Sequence, residues 1–179
     1  EVENPSELFL AERRNDITGS TIFPSLEGTR PILVEVQALV SNANFGTPQR
    51  NVNGFDFKRL AMLLAVLEKR IGTHMGTKDV FINLVGGLKI DDPAADLAVI
   101  SAVASSSRDK LIKESVVLIG EVGLGGEVRS VSRLKERINE AKSLGFKSVI
   151  APAANLKRMK DRIKGIDITG VTNVGEVFH

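Results

Sequence analysis

The chain has 179 residues, 42% of them hydrophobic, and its 24 basic and 22 acidic side chains leave a formal charge of +2. That size and apolar content suit one domain with its own core, and so balanced a charge excludes nucleic-acid binding by bulk attraction unless basic residues gather on one face. Cysteine is absent and His74 and His179 are the only histidines, which excludes a disulfide framework, a thiolate nucleophile and a Cys/His zinc site.

In chain order, the first residues are acidic and carry no initiator methionine, as expected of a piece cut from a longer protein, with residues 1–18 as connector and 19–179 as the domain itself. Asn4-Pro5-Ser6 reads as the cap and first turn of a short helix carrying Leu8, Phe9 and Leu10. Residues 20–23 and 32–40 are β-prone and form the expected hairpin across a stretch containing Pro, Glu and Gly. Residues 42–54 are dense in Asn, Gly and Pro and are expected to be an irregular loop. Within residues 55–71, Leu60, Leu63, Leu64 and Leu67 recur at helical spacing, with Gly72 as the stop. Residues 80–85 form a buried-type strand, and Asp92-Pro93 caps a helix running through Ala94 to about residue 106. A strand at 116–119, a glycine-rich turn at 120–128 and a helix at 132–144 ended by Gly145 follow. A strand at 148–151, a helix at 155–163 and a last short strand complete the chain. Eight phenylalanines are the only aromatic residues, so the core must come from Leu, Ile, Val and Ala. No apolar run approaches the roughly 20 residues that cross a bilayer, and a reducing cytoplasm is the expected location.

Several residue types invite chemical readings. Gly120, Gly123, Gly125 and Gly126 lack the Gly-x-Gly-x-x-Gly spacing of a nucleotide loop, so a tight β-turn is expected. Asp91, Asp92 and Asp96 could ligate a metal, but Asp92 is expected to cap the helix and the others to support its first turn through the helix dipole.

The run from Gly86 through Asp92-Pro93-Ala94-Ala95-Asp96, then an Ala-rich helix, Gly120-Glu121-Val122, Gly126-Glu127-Val128 and Leu134-Lys135-Glu136-Arg137 resembles the proteolytic domain of Lon. The resemblance spans roughly residues 79–152 and implies an α+β fold of the Lon proteolytic type, with mixed sheets and packed helices in a single domain. It also implies where catalysis would sit: Ala94 falls at the serine of the Pro-Ser-Ala motif and Arg137 at the lysine of the Leu-Lys-Glu-Lys motif. The two lie 43 positions apart with no gap needed. Alanine offers no nucleophile and a guanidinium does not give up its proton, so the serine–lysine dyad is degenerate at both positions. Ser101, Ser105 or another hydroxyl would have to take over for the chain to be an active serine peptidase, the most distant reading.

Asn4 to Leu10, Gly28-Thr29-Arg30-Pro31, Asn44 to Arg50 and Asp92 to Ala98 further resemble the bacterial RadA (Sms) family. That resemblance implies a non-catalytic domain of a DNA repair and recombination ATPase that forms a hexameric ring, binds single- and double-stranded DNA, works beside a RecA-type recombinase and drives branch migration. ATP, Mg and Zn are implied only for domains outside this sequence, which contains neither a Gly-x-x-x-x-Gly-Lys-[Ser/Thr] loop nor a Cys-x-x-Cys pair. The expected DNA contacts are Lys89, Arg129, Arg133, Lys135 and Arg137, with Arg50. Against this stand helix-face ion pairs among Arg133, Glu136, Arg137 and Glu140, and a structural scaffold that never touches DNA. The paired basics Arg13-Arg14, Lys58-Arg59, Lys69-Arg70 and Lys157-Arg158 are expected to be solvated faces.

Overall fold

A computed structural model describes residues 11–178 apart from 15, 29 and 114; the expected helix at residues 4–10 and His179 lie outside the described residues. The elements are β1 (Ser20–Glu27), β2 (Arg30–Asn42), β3 (Arg50–Asn53), α1 (Phe57–Val66), β4 (Lys78–Leu84), α2 (Asp96–Arg108) and β5 (Val116–Leu118). Then come β6 (Glu121–Val122), β7 (Val128–Arg129), α3 (Leu134–Ser143), β8 (Ser148–Pro152), α4 (Ala153–Arg158) and β9 (Asp167–Val171). Seven strands make one mixed sheet in the order β3-β4-β2-β1-β5-β8-β9, and β6 and β7 form a separate hairpin. This is the α+β architecture expected of a Lon-type domain.

The β1–β2 hairpin runs further than the sequence suggests, pairing antiparallel from Ser20↔Gln37 to Glu27↔Arg30 around Gly28. Pro24 and Pro31 are tolerated because β5 meets β1 only at Ile22 and β4 joins β2 only from Val36, leaving each strand one free edge there. Residues 42–54 are not wholly irregular: β3 pairs in parallel with β4 from Arg50↔Val80 to Asn53↔Asn83. It is an edge strand of four residues with little apolar content, so nothing in its composition announces it. The helix expected at 155–163 is instead α4, which ends at Arg158 because the chain must turn back to lay β9 parallel to β8.

α1 begins where the Asp56 carboxylate accepts the Arg59 N–H at 2.9 Å, buries Leu60, Leu63, Leu64 and Val66, and widens into a π-turn (Leu67–Ile71) before Gly72 stops it at φ 78°. α2 is preceded by a 3₁₀ turn (Pro93–Ala95) and is buried at every position from Asp96 to Ser105. Its small residues let it lie close on β1, where the Thr21 hydroxyl donates to the Ala98 carbonyl at 2.8 Å. Period-two alternation divides the sheet. Val36, Ala38, Ile82 and Leu84 are buried, whereas Gln37, Leu39 and Asn83 stay exposed on the opposite face. On that same face the Ser20 hydroxyl donates to the Glu35 carboxylate at 2.6 Å, and Arg13 donates to Ser20 at 3.1 Å. Arg13 is therefore not the solvated residue its sequence pair suggested.

Two glycines in the left-handed region separate steric from conformational cost. A Cβ on Gly54 (φ +88°) would lie 2.2 Å from the Leu88 carbonyl oxygen, while one on Gly87 (φ +71°) would meet nothing within 4 Å. Gly54→Ala is expected to lower the unfolding free energy by about 2–4 kcal/mol and Gly87→Ala by about 1 kcal/mol. Urea unfolding of the two variants checks this; equal losses would mean that the backbone around Leu88 relaxes.

Candidate functional site

The turn that enters α2 is fixed by two aspartates, each answered by an arginine from a different element. Asp92 is extended (φ −114°, ψ 112°), as an N-cap should be, and its Oδ1 accepts the Ala94 N–H at 3.1 Å. Its Oδ2 accepts from Arg137 Nη1 at 2.7 Å. The same Nη1 donates to the Pro24 carbonyl at 2.9 Å, and Nε donates to the Ser132 carbonyl at 2.9 Å. The guanidinium lies 5.6 Å from the Phe23 ring centroid, and Arg137 is only 1% exposed. The degenerate dyad positions are thus joined through one carboxylate, which holds the Ala94 amide on one oxygen and Arg137 on the other.

Asp96, four residues on, is fully buried and bound bidentately by Arg59, with Nε–Oδ1 at 2.5 Å and an Nη2–Oδ2 contact beside it. It also accepts the Val122 N–H at 3.0 Å, and Glu121 flanks Arg59 at 3.7 Å. Burial raises the Asp96 carboxyl above its ordinary value, against the opposing pull of Arg59 and the Val122 N–H. The hydrogen bond to Asp96 in turn favours the charged form of Arg59. The third tie is main chain: Gly120 donates to the Ala94 carbonyl at 2.9 Å and accepts from Leu97 at 3.0 Å. A Cβ at Gly120 would lie 2.7 Å from Val128, so this approach requires glycine. Asp92 and Asp96, weighed above as metal ligands, each bind an arginine instead.

The expected DNA contacts separate into two groups. Arg137 is not on a surface, so it leaves the patch: a side chain this buried, with Asp92 and two carbonyls as acceptors, cannot meet a polyanion without local unfolding. The carboxylate it binds is Asp92, from another element, rather than one on its own helix face. Arg50 is half-buried and spends its guanidinium on the carbonyls of Lys78 and Met75, the latter at 2.8 Å. The others are exposed. Arg133 caps α3 at φ 54°, donates to Glu136 at 2.9 Å and to the Gly28 carbonyl at 3.3 Å, and Arg129 lies 3.6 Å from Glu127. Lys89 and Lys135 are exposed as expected. Sequence reasoning missed Arg59, whose neighbours read as a solvated pair; its position one turn into a capped helix was the available signal.

Other chemical candidates are structural. Ser101 is fully buried with no hydrogen-bond partner among the described residues, and Ser105 accepts the Gly19 N–H at 2.9 Å and donates to the Lys110 carbonyl at 2.5 Å. Neither hydroxyl donates to a base. The glycine-rich stretch is the β6–β7 turn, closed by Gly126 N–H to Gly123 carbonyl at 2.9 Å. His74 is exposed, 3.2 Å from the Glu68 carboxylate, which the Met75 and Gly76 N–H groups hold below its ordinary value. No helix among the described residues is long and apolar enough to cross a membrane.

The paired aspartates can be tested through their arginines. Arg137→Ala strands Asp92 and two carbonyls and is expected to cost about 3–5 kcal/mol in urea unfolding; a loss under about 1 kcal/mol would mean the pair is solvated. Arg59→Ala is expected to cost about 3 kcal/mol at neutral pH. Without Arg59 the Asp96 carboxyl rises further, so folding takes up a proton there and the deficit shrinks as pH falls toward about 4, where unfolded Asp also protonates. A deficit that grows on acidification would refute this assignment.

The model of the Lon protease C-terminal proteolytic domain matches residues 67–179. The chain is 52% identical over 178 residues to the DNA repair protein RadA of Bacillus subtilis, covering 99% of this chain and 39% of that protein. It is 47% identical over 178 residues to the DNA repair protein RadA of Listeria monocytogenes, with the same coverage. Against the DNA repair protein RadA of Halalkalibacterium halodurans it is 51% identical over 156 residues, 87% of this chain and 34% of that protein. The chain therefore spans about two fifths of the length of these relatives. With the sheet, the capped turn at Ala94 and the facing Arg137 in place, the chain belongs to the Lon protease C-terminal proteolytic-domain family, in the form that RadA proteins carry.

Proposed function

We propose that this domain is catalytically inactive and serves as a DNA-binding and ring-forming module of a DNA repair ATPase. The observation that carries the first part is the Asp92–Arg137 pair: the place of a proton-accepting lysine holds a buried guanidinium bonded to a carboxylate and two carbonyls, and the place of the serine holds a methyl group. In this reading the chain contributes to a homohexamer that binds single- and double-stranded DNA in the cytoplasm. There it acts beside a RecA-type recombinase and supports ATP-driven branch migration. The ATP, Mg and Zn chemistry belongs to segments outside this chain. Similarity to proteins named for DNA repair supports the setting.

One observation favours a second reading, an oligomerisation scaffold without DNA contact. Arg137 and Arg50, two of the six expected phosphate ligands, spend their donors inside the domain. The two readings differ in binding of labelled DNA across a salt series. DNA binding predicts affinity that falls steeply with salt, whereas the scaffold predicts no binding at low salt with assembly intact.

The inactive reading predicts no casein hydrolysis by the parent, and none by Ala94→Ser, because the restored hydroxyl still faces no base. Hydrolysis by Ala94→Ser would show that Arg137 is not the obstacle. Hydrolysis by the parent would overturn the reading.

A further inference from the structure

Charge is distributed very unevenly along this chain. Residues 142–164 contain seven Lys or Arg and one acidic residue, Asp161, a net charge of +6 against +2 for the whole chain, so everything else is net acidic by four. The fold gathers this segment at one place. β8 and β9 run parallel at the end of the sheet, α4 crosses back between them, and the residues that carry the charge lie on the turns at the starting end of both strands. The Asp167 N–H donates to the Lys147 carbonyl at 3.0 Å, which sets Lys147 beside the start of β9. The Lys142 side chain comes within 2.9 Å of where a Cβ on Gly165 would be, which sets the end of α3 against the 159–165 turn. Lys157, Arg158, Lys160, Arg162 and Lys164 lie on the end of α4 and on that turn, where Lys160 and Arg162 line a groove of about 610 Å³ together with the carboxylates Asp161 and Asp167.

All seven basic side chains are exposed, and among the described residues none makes an ion pair or a side-chain hydrogen bond. Elsewhere the arginines are engaged: Arg13, Arg50, Arg59, Arg133 and Arg137 all have internal partners. Internal roles do not account for the cluster. Lys157 and Arg158 complement the negative end of α4 and Lys142 that of α3, but the other four lie on no helix end. Edge protection does not account for it either, because β9 itself carries no basic residue. Like charges crowded without internal partners repel one another, and that repulsion is relieved when they meet a dense row of anions.

We propose that this β8–α4–β9 end, rather than the turn around Lys89 and Arg129, is the surface that contacts the phosphate backbone of duplex nucleic acid. The inference rests on the DNA-binding reading above and names the surface for it. Lys135 and Lys142 stand seven residues apart on the exposed side of α3 and extend the surface toward the start of that helix. The chemistry is charge without base reading. Phe146 is the only aromatic residue between 142 and 171 and packs against the core, so this end offers no platform on which bases could stack. Duplex of any sequence should therefore bind alike, through counterion release.

The test uses the full-length protein and a labelled duplex with its matching single strand, titrated by fluorescence anisotropy across a salt series. The variant with Lys157, Arg158, Lys160, Arg162 and Lys164 changed to Ala is compared with one in which Lys89, Arg129 and Arg133 are changed to Ala. The first variant is expected to weaken duplex binding at least tenfold, with the log–log salt slope shallower by about 0.9 for each phosphate no longer neutralised. Its thermal midpoint should match the parent; should it not fold, Lys160→Gln/Arg162→Gln/Lys164→Gln replaces it, with a proportionate reduction in slope expected. The second variant is expected to bind like the parent. If the first variant or its replacement keeps the parental affinity and slope while the parent binds DNA, the surface assignment is wrong and the DNA-binding reading survives. A parent that binds neither probe at low salt overturns that reading and this inference with it.

Discussion

Two carboxylates at the entrance to α2, the buried Asp96 and the partly exposed Asp92, govern this domain. Neither Asp92 nor Asp96 could be taken from water alone, since an unpaired charge in the interior costs far more than a single fold can tolerate. Each is therefore matched by an arginine delivered from elsewhere: Arg137 from the first turns of α3, Arg59 from the start of α1. These demands fix where three helices stand relative to one another. The β1 strand is drawn in as well, because Arg137 places a second hydrogen bond on the Pro24 carbonyl and its face over Phe23.

The same arrangement explains what became of a proteolytic framework. A lysine–serine dyad needs a cationic base that can lose its proton and a hydroxyl within reach of it. Here the cation is permanent, and its donors are committed to a carboxylate and two carbonyls rather than to a reacting group. The site has become a structural joint, with Asp92 serving at once as helix cap and counter-ion. On the surface the basic residues divide into arginines held by internal partners and a group, mostly lysines, with none. Seven of the second group gather at the far end of the sheet from β3.

The order of most elements, the cap at Asp92 and the stops at Gly72 and Gly145 were legible in the sequence, because caps and stops are local chemistry: a short polar side chain reaching its own next turn, or a glycine entering the left-handed region. The register of Ala94 with Arg137 was legible too, through motif order and spacing. What could not be read were the partners. Arg59 and Lys58 look alike in a string of letters, yet one is bound to a buried aspartate 37 residues away and the other is exposed. Arg137 carried the same charge in either reading; only the packing of α3 against β1 decided that it faces inward.

The edge strand β3 and the early end of α4 were missed for the same reason, since pairing with β4 and the return to β9 are set by distant segments rather than by local preference. The sequence alone determined the class of fold, the loss of nucleophile and base, and the amount of charge in each segment, because these depend on residue identity and short-range spacing. Only the tertiary structure decided which of those charges neutralise one another inside and which are left to face solvent, because that depends on which side chains long-range packing brings within a hydrogen bond's reach.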